Sequence, residues 1–212
     1  MMRKNKEQHM YISRVYLDGK KHKTAQALYN RGILHGAIER CFQGERQKSI
    51  WRLDRTGERI FLILVSMEKP DFTFFCEQFG LNGSQAEAKQ YDAFISTINE
   101  GNILRFRLTA NPTIKKDNKR IPLNKKKTEN QSYCAMDWLI DRMKNNGAEV
   151  ISAQISKYER HRIAYNGKSI VLAEATYDGC IRVMDQKMFM MALLNGIGHG
   201  KAYGCGLLTV MR

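Results

Sequence analysis

The chain has 212 residues, 43% of them hydrophobic and 26% charged, and its 35 lysines and arginines exceed its 21 acidic residues by 14. That apolar share supplies a core and argues against a disordered tail, and the length suits one large domain or two small ones. The longest apolar runs, Ile60 to Val65 and Met188 to Leu194, fall far short of the roughly 18 residues of a membrane span.

The first residues, MMRKNKEQHMYIS, are charged and lack both an apolar stretch and a small-residue cleavage site, so they do not read as a signal peptide and a cytoplasmic protein is expected. Tyr11 to Leu17 alternates and is rich in β-formers, which predicts a strand. From Thr24 to Phe42 the pattern is helical, with Leu34, Ile38, Cys41 and Phe42 on one stripe and Gly32 as an interruption. Ser49 to Arg55 and Arg59 to Met67 read as a hairpin around Thr56–Gly57–Glu58, followed by a short helix between Asp71 and Phe79. Ile103 to Pro112 then alternates strictly, which completes a β-α-β-β-α-β order of the ferredoxin-like kind.

The second half repeats that plan. A helix from about Asn130 to Asn145 ends near Gly147; strands Ala148 to Tyr158 and Ser169 to Val183 flank a basic turn, Glu159 to Lys168. Asp185 caps a short apolar helix that stops at Gly196, and Leu207 to Arg212 closes the chain as a strand. The fold class expected is α+β, two tandem ferredoxin-like (RNA-recognition-motif-like) domains, 10–120 and 121–212, joined within the basic stretch.

The five cysteines are odd in number and spread along the chain with no CxxC spacing, so they read as small core residues and neither a metal site nor a cofactor is expected. The charge points instead to a polyanion, nucleic acid before membrane. Thr113 to Lys127 holds seven basic residues and one acid. Pro112 and Pro122 break any amphipathic helix there, so the stretch reads as a flexible loop whose Lys115, Lys116, Lys119 and Arg120 touch phosphates. Gly196 to Gly206 places five glycines in eleven residues. It reads either as a phosphate cradle of consecutive N–H groups with Lys201 adding charge, or as a tight-packing turn. No Walker spacing or RNP signature accompanies it.

The C-terminal GIGHGKAYGCGLLTV, with LRFRLTANP ahead of a basic loop and MYISRVYL, ILHGAIERCF and IWRLDR in the same order, resembles the CasE family from Met10 to the end. These endoribonucleases process CRISPR precursor RNA in type I-E systems. The resemblance implies two ferredoxin-like domains and metal-independent cleavage of the repeat stem-loop, in which the upstream 2′-OH attacks the scissile phosphate. It also implies that the product is retained with other subunits of the surveillance complex. His35 falls at the family's catalytic histidine and Arg40 at a position often basic there. The family's tyrosine three residues before the histidine is replaced by Gly32, which leaves Tyr29 as a substitute. Lys157, Arg160, Arg162 and Lys168 match the hairpin that grips the RNA stem. A non-catalytic RNA-binding protein of tandem RNA-recognition-like domains stays open as the alternative.

Overall fold

The structure, a computed structural model, describes residues 9–43, 48–165 and 168–212, with the backbone alone for 164, 165 and 168–170. The basic segment before His9 and the side chain of Lys168 lie outside the described residues. Two compact units are present. The first takes in the chain to Ser49 and Leu53–Thr97; the second takes in Ile50–Arg52 and Ile98–Arg212.

In the first unit, β1 (Tyr11–Leu17) leads to α1 (His22–Tyr29) and α2 (Arg31–Glu39). The hairpin β2 (Ser49–Thr56) and β3 (Arg59–Ser66) follows, then α3 (Thr73–Phe79), β4 (Glu87–Gln90) and a short α4 (Asp92–Ile95). The sheet order is β2-β3-β1-β4, with β1 antiparallel to both neighbours. Alternation in β1 buries Val15 and Leu17 opposite the buried Leu62 and Ile60 of β3, while α2 buries Leu34, Ala37 and Ile38 and α3 buries Phe75 and Phe79. The helical stretch is broken at Asn30, two residues before the glycine that predicted the interruption. Asn30 is extended (φ −110°, ψ 92°) and its side chain accepts the Gly32 N–H at 3.1 Å. An asparagine satisfies an orphan donor of a new helix better than it continues an old one.

The second unit repeats the order. It runs β5 (Ile103–Ala110), a ribbon of β6 (Thr113–Lys116) and β7 (Lys119–Pro122), α5 (Ala135–Lys144), β8 (Ala148–Tyr165), β9 (Lys168–Val183), α6 (Gln186–Asn195) and β10 (Leu208–Met211). Its sheet order, β10-β5-β9-β8, matches the first once the ribbon is set aside. The two α+β units are therefore the tandem ferredoxin-like plan that the element order implies. The expected boundary at 120/121 is corrected. β5 pairs with β9 and β10, so the division falls after Thr97, and the basic stretch is an insertion inside the second unit.

Two local expectations change as well. Thr113 to Pro122 is a two-stranded ribbon and not a loop, because Asp117 and Asn118 both adopt positive φ (47° and 58°), as the tightest hairpin turn requires. The basic turn after Tyr158 is strand: β8 stays paired with β9 through Tyr165 opposite Lys168. Register shifts occur on β8 between Val150 and Ser152 and between Ile155 and Lys157. Near the first, Gly179 of β9 lies so close that a Cβ there would stand 2.0 Å from the Ser152 carbonyl oxygen and 2.8 Å from the Ala153 Cα. Backbone cannot yield as a flexible side chain can. Gly179→Ala should therefore lower unfolding free energy by more than about 2 kcal/mol, measured by urea denaturation.

Candidate active site and nucleic-acid interface

His35 stands in the middle of α2, one position from the buried Leu34, with 25% of its side chain exposed. Its Nε2 comes within 3.4 Å of Glu39 Oε1, one helical turn on. Sequence reasoning missed Glu39, although an i, i+4 carboxylate on the same helix face is a readable signal. A histidine at the margin of a core with a carboxylate against one nitrogen has the arrangement of an oriented proton-transfer group. The other two expected members are placed differently. Tyr29 ends α1 before the Asn30 break and is 90% exposed. Arg40 caps α2, and its guanidinium lies 5.9 Å from the centre of the Phe74 ring on α3. At Gly32 a Cβ would meet only the Asn30 side-chain oxygen, at 3.1 Å.

In the second unit the cations divide by strand face. Lys157, Glu159 and His161 alternate along one face of β8, with Glu159 directly opposite the buried Glu174 of β9. The Lys157 ammonium lies 2.7 Å from Glu174 and 3.0 Å from Glu159. Ligand atoms of Glu159, His161 and Glu174 lie within 4.8 Å of one another, but Lys157 supplies a cation to that cluster from inside the chain. Its ammonium is committed there, and a buried carboxylate needs such a partner. On the opposite face, Arg160 donates to Asn124 Oδ1 at 2.7 Å and approaches the Tyr158 hydroxyl, which in turn donates to the Leu123 carbonyl. Arg162 is exposed and makes no ion pair among the described residues.

The ribbon concentrates charge further. Lys115 lies opposite Arg120 and Lys116 opposite Lys119, all four exposed and without an ion pair among the described residues. Like charges directly across a strand pair are destabilising in isolation and suit a bound polyanion.

The glycine-rich loop leaves α6 at Gly196 and returns through a 3-10 turn, Lys201–Tyr203, to β10. All five of its glycines have positive φ, between 68° and 99°. Their missing side chains make room for protein: a Cβ on Gly204 would stand 2.8 Å from the Trp51 ring, on Gly198 3.0 Å from Trp138, and on Gly196 2.7 Å from the Gly206 carbonyl oxygen. The N–H groups of Ile197, Tyr203, Gly204, Cys205 and Gly206 bond to carbonyls of the same unit. Tight packing thus accounts for the glycines, and these five amides are not aimed at a phosphate. The Lys201 stem lies along Gly206. The exposed His199 is held below the ordinary histidine range by partial burial first and then by the charges of Arg120, Arg142 and Lys201, so the loop gathers cations that the sequence scatters over three segments.

Fold and site together define a tandem ferredoxin-like protein with a helix histidine set against a carboxylate and rows of solvent-facing cations. The chain belongs to the CRISPR associated protein family, whose model matches residues 10–212, and this agrees with the resemblance that begins at Met10. It is 24% identical to the CRISPR-associated endoribonuclease Cse3 of Thermus thermophilus, over 95% of this chain and 99% of that protein. Among solved structures it is similar to the CRISPR endoribonuclease Cse3 bound to a 19 nt RNA, with a TM-score of 0.79, 22% identity and coverage of 96% of this chain and 100% of that one. It is also similar to the CRISPR-associated protein Cas6e of Escherichia coli K-12, with a TM-score of 0.64, 22% identity, and 94% and 98% coverage. No helix among the described residues is long and apolar enough to cross a membrane.

Because the folded state depresses the His199 pKa, the unfolded chain takes up that proton first as pH falls. The contribution of His199 to stability is therefore whole above its unfolded pKa of about 6.5 and is lost as pH drops through the folded value. A His199→Gln variant should lose less stability than wild type between about pH 7 and about pH 5, read as the shift in urea midpoint.

Proposed function

We propose that the protein is an endoribonuclease that cuts CRISPR precursor RNA once, at the base of the repeat stem-loop, without a metal ion, and keeps the product within the type I-E surveillance complex. The observation that carries this reading is His35, half-buried on α2 and steadied by Glu39, in a chain of the CRISPR associated protein family. The upstream ribose 2′-oxygen forms a bond to the scissile phosphorus as the bond to the 5′-oxygen breaks. The products are a 2′,3′-cyclic phosphate and a 5′-hydroxyl. One proton leaves the 2′-hydroxyl and one reaches the 5′-oxygen, and an imidazole suits either transfer near neutral pH.

Tyr29, exposed on the other side of the Asn30 break, and Arg40, turned to α3, take no part in the transfer. The chain thus works with fewer groups than the family pattern supplies, and Gly32 marks the missing one. RNA is held by Arg162, Arg160 and Lys168 of the β8–β9 hairpin, by Lys115, Lys116, Lys119 and Arg120 of the ribbon, and by Lys201. A-form RNA admits side chains poorly to its deep, narrow groove, so these contacts read phosphates and shape. Lys157 acts indirectly, by neutralising Glu159 and Glu174 beside them.

In EDTA, wild-type protein should cut a labelled repeat hairpin at one position, and His35→Ala should bind it with near-normal affinity and leave it intact. A 2′-deoxy substitution upstream of the cut should block the reaction, and cleavage of that RNA would overturn the mechanism. Tight binding with no cut by wild type would favour the non-catalytic alternative. Replacing Lys115, Lys116, Lys119 and Arg120 with glutamine should reduce the slope of log K against log salt by roughly 3, since each phosphate no longer neutralised removes about 0.7–0.9. An unchanged slope would remove the ribbon from the RNA path.

A further inference from the structure

We propose that the first unit carries a separate nucleotide subsite on α1 and α3, which takes one unpaired base and its phosphate from the single strand flanking the repeat stem. The proposal rests on the RNA-processing reading above and concerns residues that reading leaves unused.

The starting observation is Phe74. Phe72, Phe75 and Phe79 follow the buried stripe of the α3 region, at 6%, 1% and 1% exposure, whereas Phe74 is 47% exposed. It is nonetheless built into a rigid frame. The Asp71 N–H donates to the Cys41 carbonyl at 2.8 Å, which ties the start of α3 to the end of α2. The Lys21 ammonium donates to the Gly80 and Glu77 carbonyls at 2.8 Å and 3.2 Å, which ties the end of α3 to the start of α1. From the α2 side the Arg40 guanidinium approaches the ring, 5.9 Å from its centre.

An open groove of about 540 Å³ adjoins the ring, lined by Lys21, His22, Lys23, Phe74, Glu77 and Gln78. That is within the range of roughly 300–1,000 Å³ found for small-ligand sites. The side chains of His22, Lys23 and Arg40 make no ion pair among the described residues.

The chemistry selects the occupant. A wholly apolar partner would strip water from the Lys23 ammonium without compensating it, and a simple anion would leave the Phe74 face wet. A nucleotide uses both: its base stacks on Phe74 beside Arg40, and its phosphate meets Lys23 and His22. Glu77 repels the phosphate from its own side, so the base edge points toward Glu77 and Gln78, whose oxygens accept from base amino groups. Paired bases have no free face to offer, so the site takes single strand.

The test uses the full chain and fluorescence anisotropy with three RNAs: the bare repeat stem-loop, the stem-loop with about four unpaired nucleotides upstream, and a short oligoadenylate. For wild type the unpaired flank should tighten binding. Phe74→Ala should abolish that gain, about 5- to 150-fold if one base stacks there, and leave the bare stem-loop unaffected. Phe74→Leu keeps apolar bulk and should lose the gain too, whereas Phe74→Trp should retain it; Lys23→Gln should flatten the salt slope of the flanked RNA alone. A flank that adds nothing in wild type, or a gain that survives Phe74→Ala, overturns the subsite. Phe74-dependent binding of oligoadenylate without stem-loop binding would keep the subsite and overturn the processing reading. Binding of neither RNA would overturn both.

Discussion

An excess of 14 positive charges must be placed somewhere, and where the fold places it constrains nearly everything else about this protein. Part of the charge is settled internally. Lys157 is held between Glu159 and Glu174, Arg107 binds Asp178 through two nitrogens at 2.6 Å and 3.2 Å, and Lys127 meets Asp137 at 3.1 Å. Others stand in like-charged pairs across the β6–β7 ribbon, and Arg162 is exposed on β8. Exposed charges of one sign at strand spacing repel one another in water by amounts that salt screens but does not cancel. A bound phosphate chain removes that repulsion and releases counterions. The sheets hold the cations at fixed spacing beforehand, so a polyanion meets charges that need little further ordering.

In the glycine-rich loop a packing requirement also gathers charge. Its backbone runs so close to Trp51, Trp138 and Leu172 that a Cβ on Gly204, Gly198 or Gly200 would stand 2.8 Å, 3.0 Å and 3.0 Å from them, and most of its amides bond within the unit. The result is a stiff connection from α6 to β10 that brings Lys201 and His199 among the charges of Arg120 and Arg142. The glycines supply geometry, and the side chains between them supply charge.

The first unit divides its labour at Asn30. Ending α1 there and starting α2 one residue later turns His35 to the margin of the core, within reach of Glu39, and sends Tyr29 outward. It also sets Arg40 at the helix end, over Phe74. The proposed chemistry and the proposed strand binding thereby fall on different stretches of one short helical segment.

Alternation and turn residues made β1, the β2–β3 hairpin, β5, α6 with its Asp185 cap, and the ferredoxin-like order legible, because burial of one face imposes those periods on the sequence itself. The family was legible through short motifs, which also marked His35 as a candidate. By contrast, the pairing of β5 with β9 and β10, which moved the domain boundary, depends on which distant strands share a core, and no local period encodes that. The ribbon at Asp117–Asn118 and the extension of β8 through Arg160 and Arg162 were hidden for a related reason: charged residues satisfy strand geometry once a partner strand bonds their backbone. The fate of each cation was hidden too. Lys157 and Lys115 look alike in sequence, but Glu174 is brought beside one and Arg120 opposite the other. Composition and motif alone set the excess of positive charge and marked His35 as a candidate; only the tertiary structure decided which cations meet a carboxylate, since electrostatic pairing follows distance in space and not along the chain.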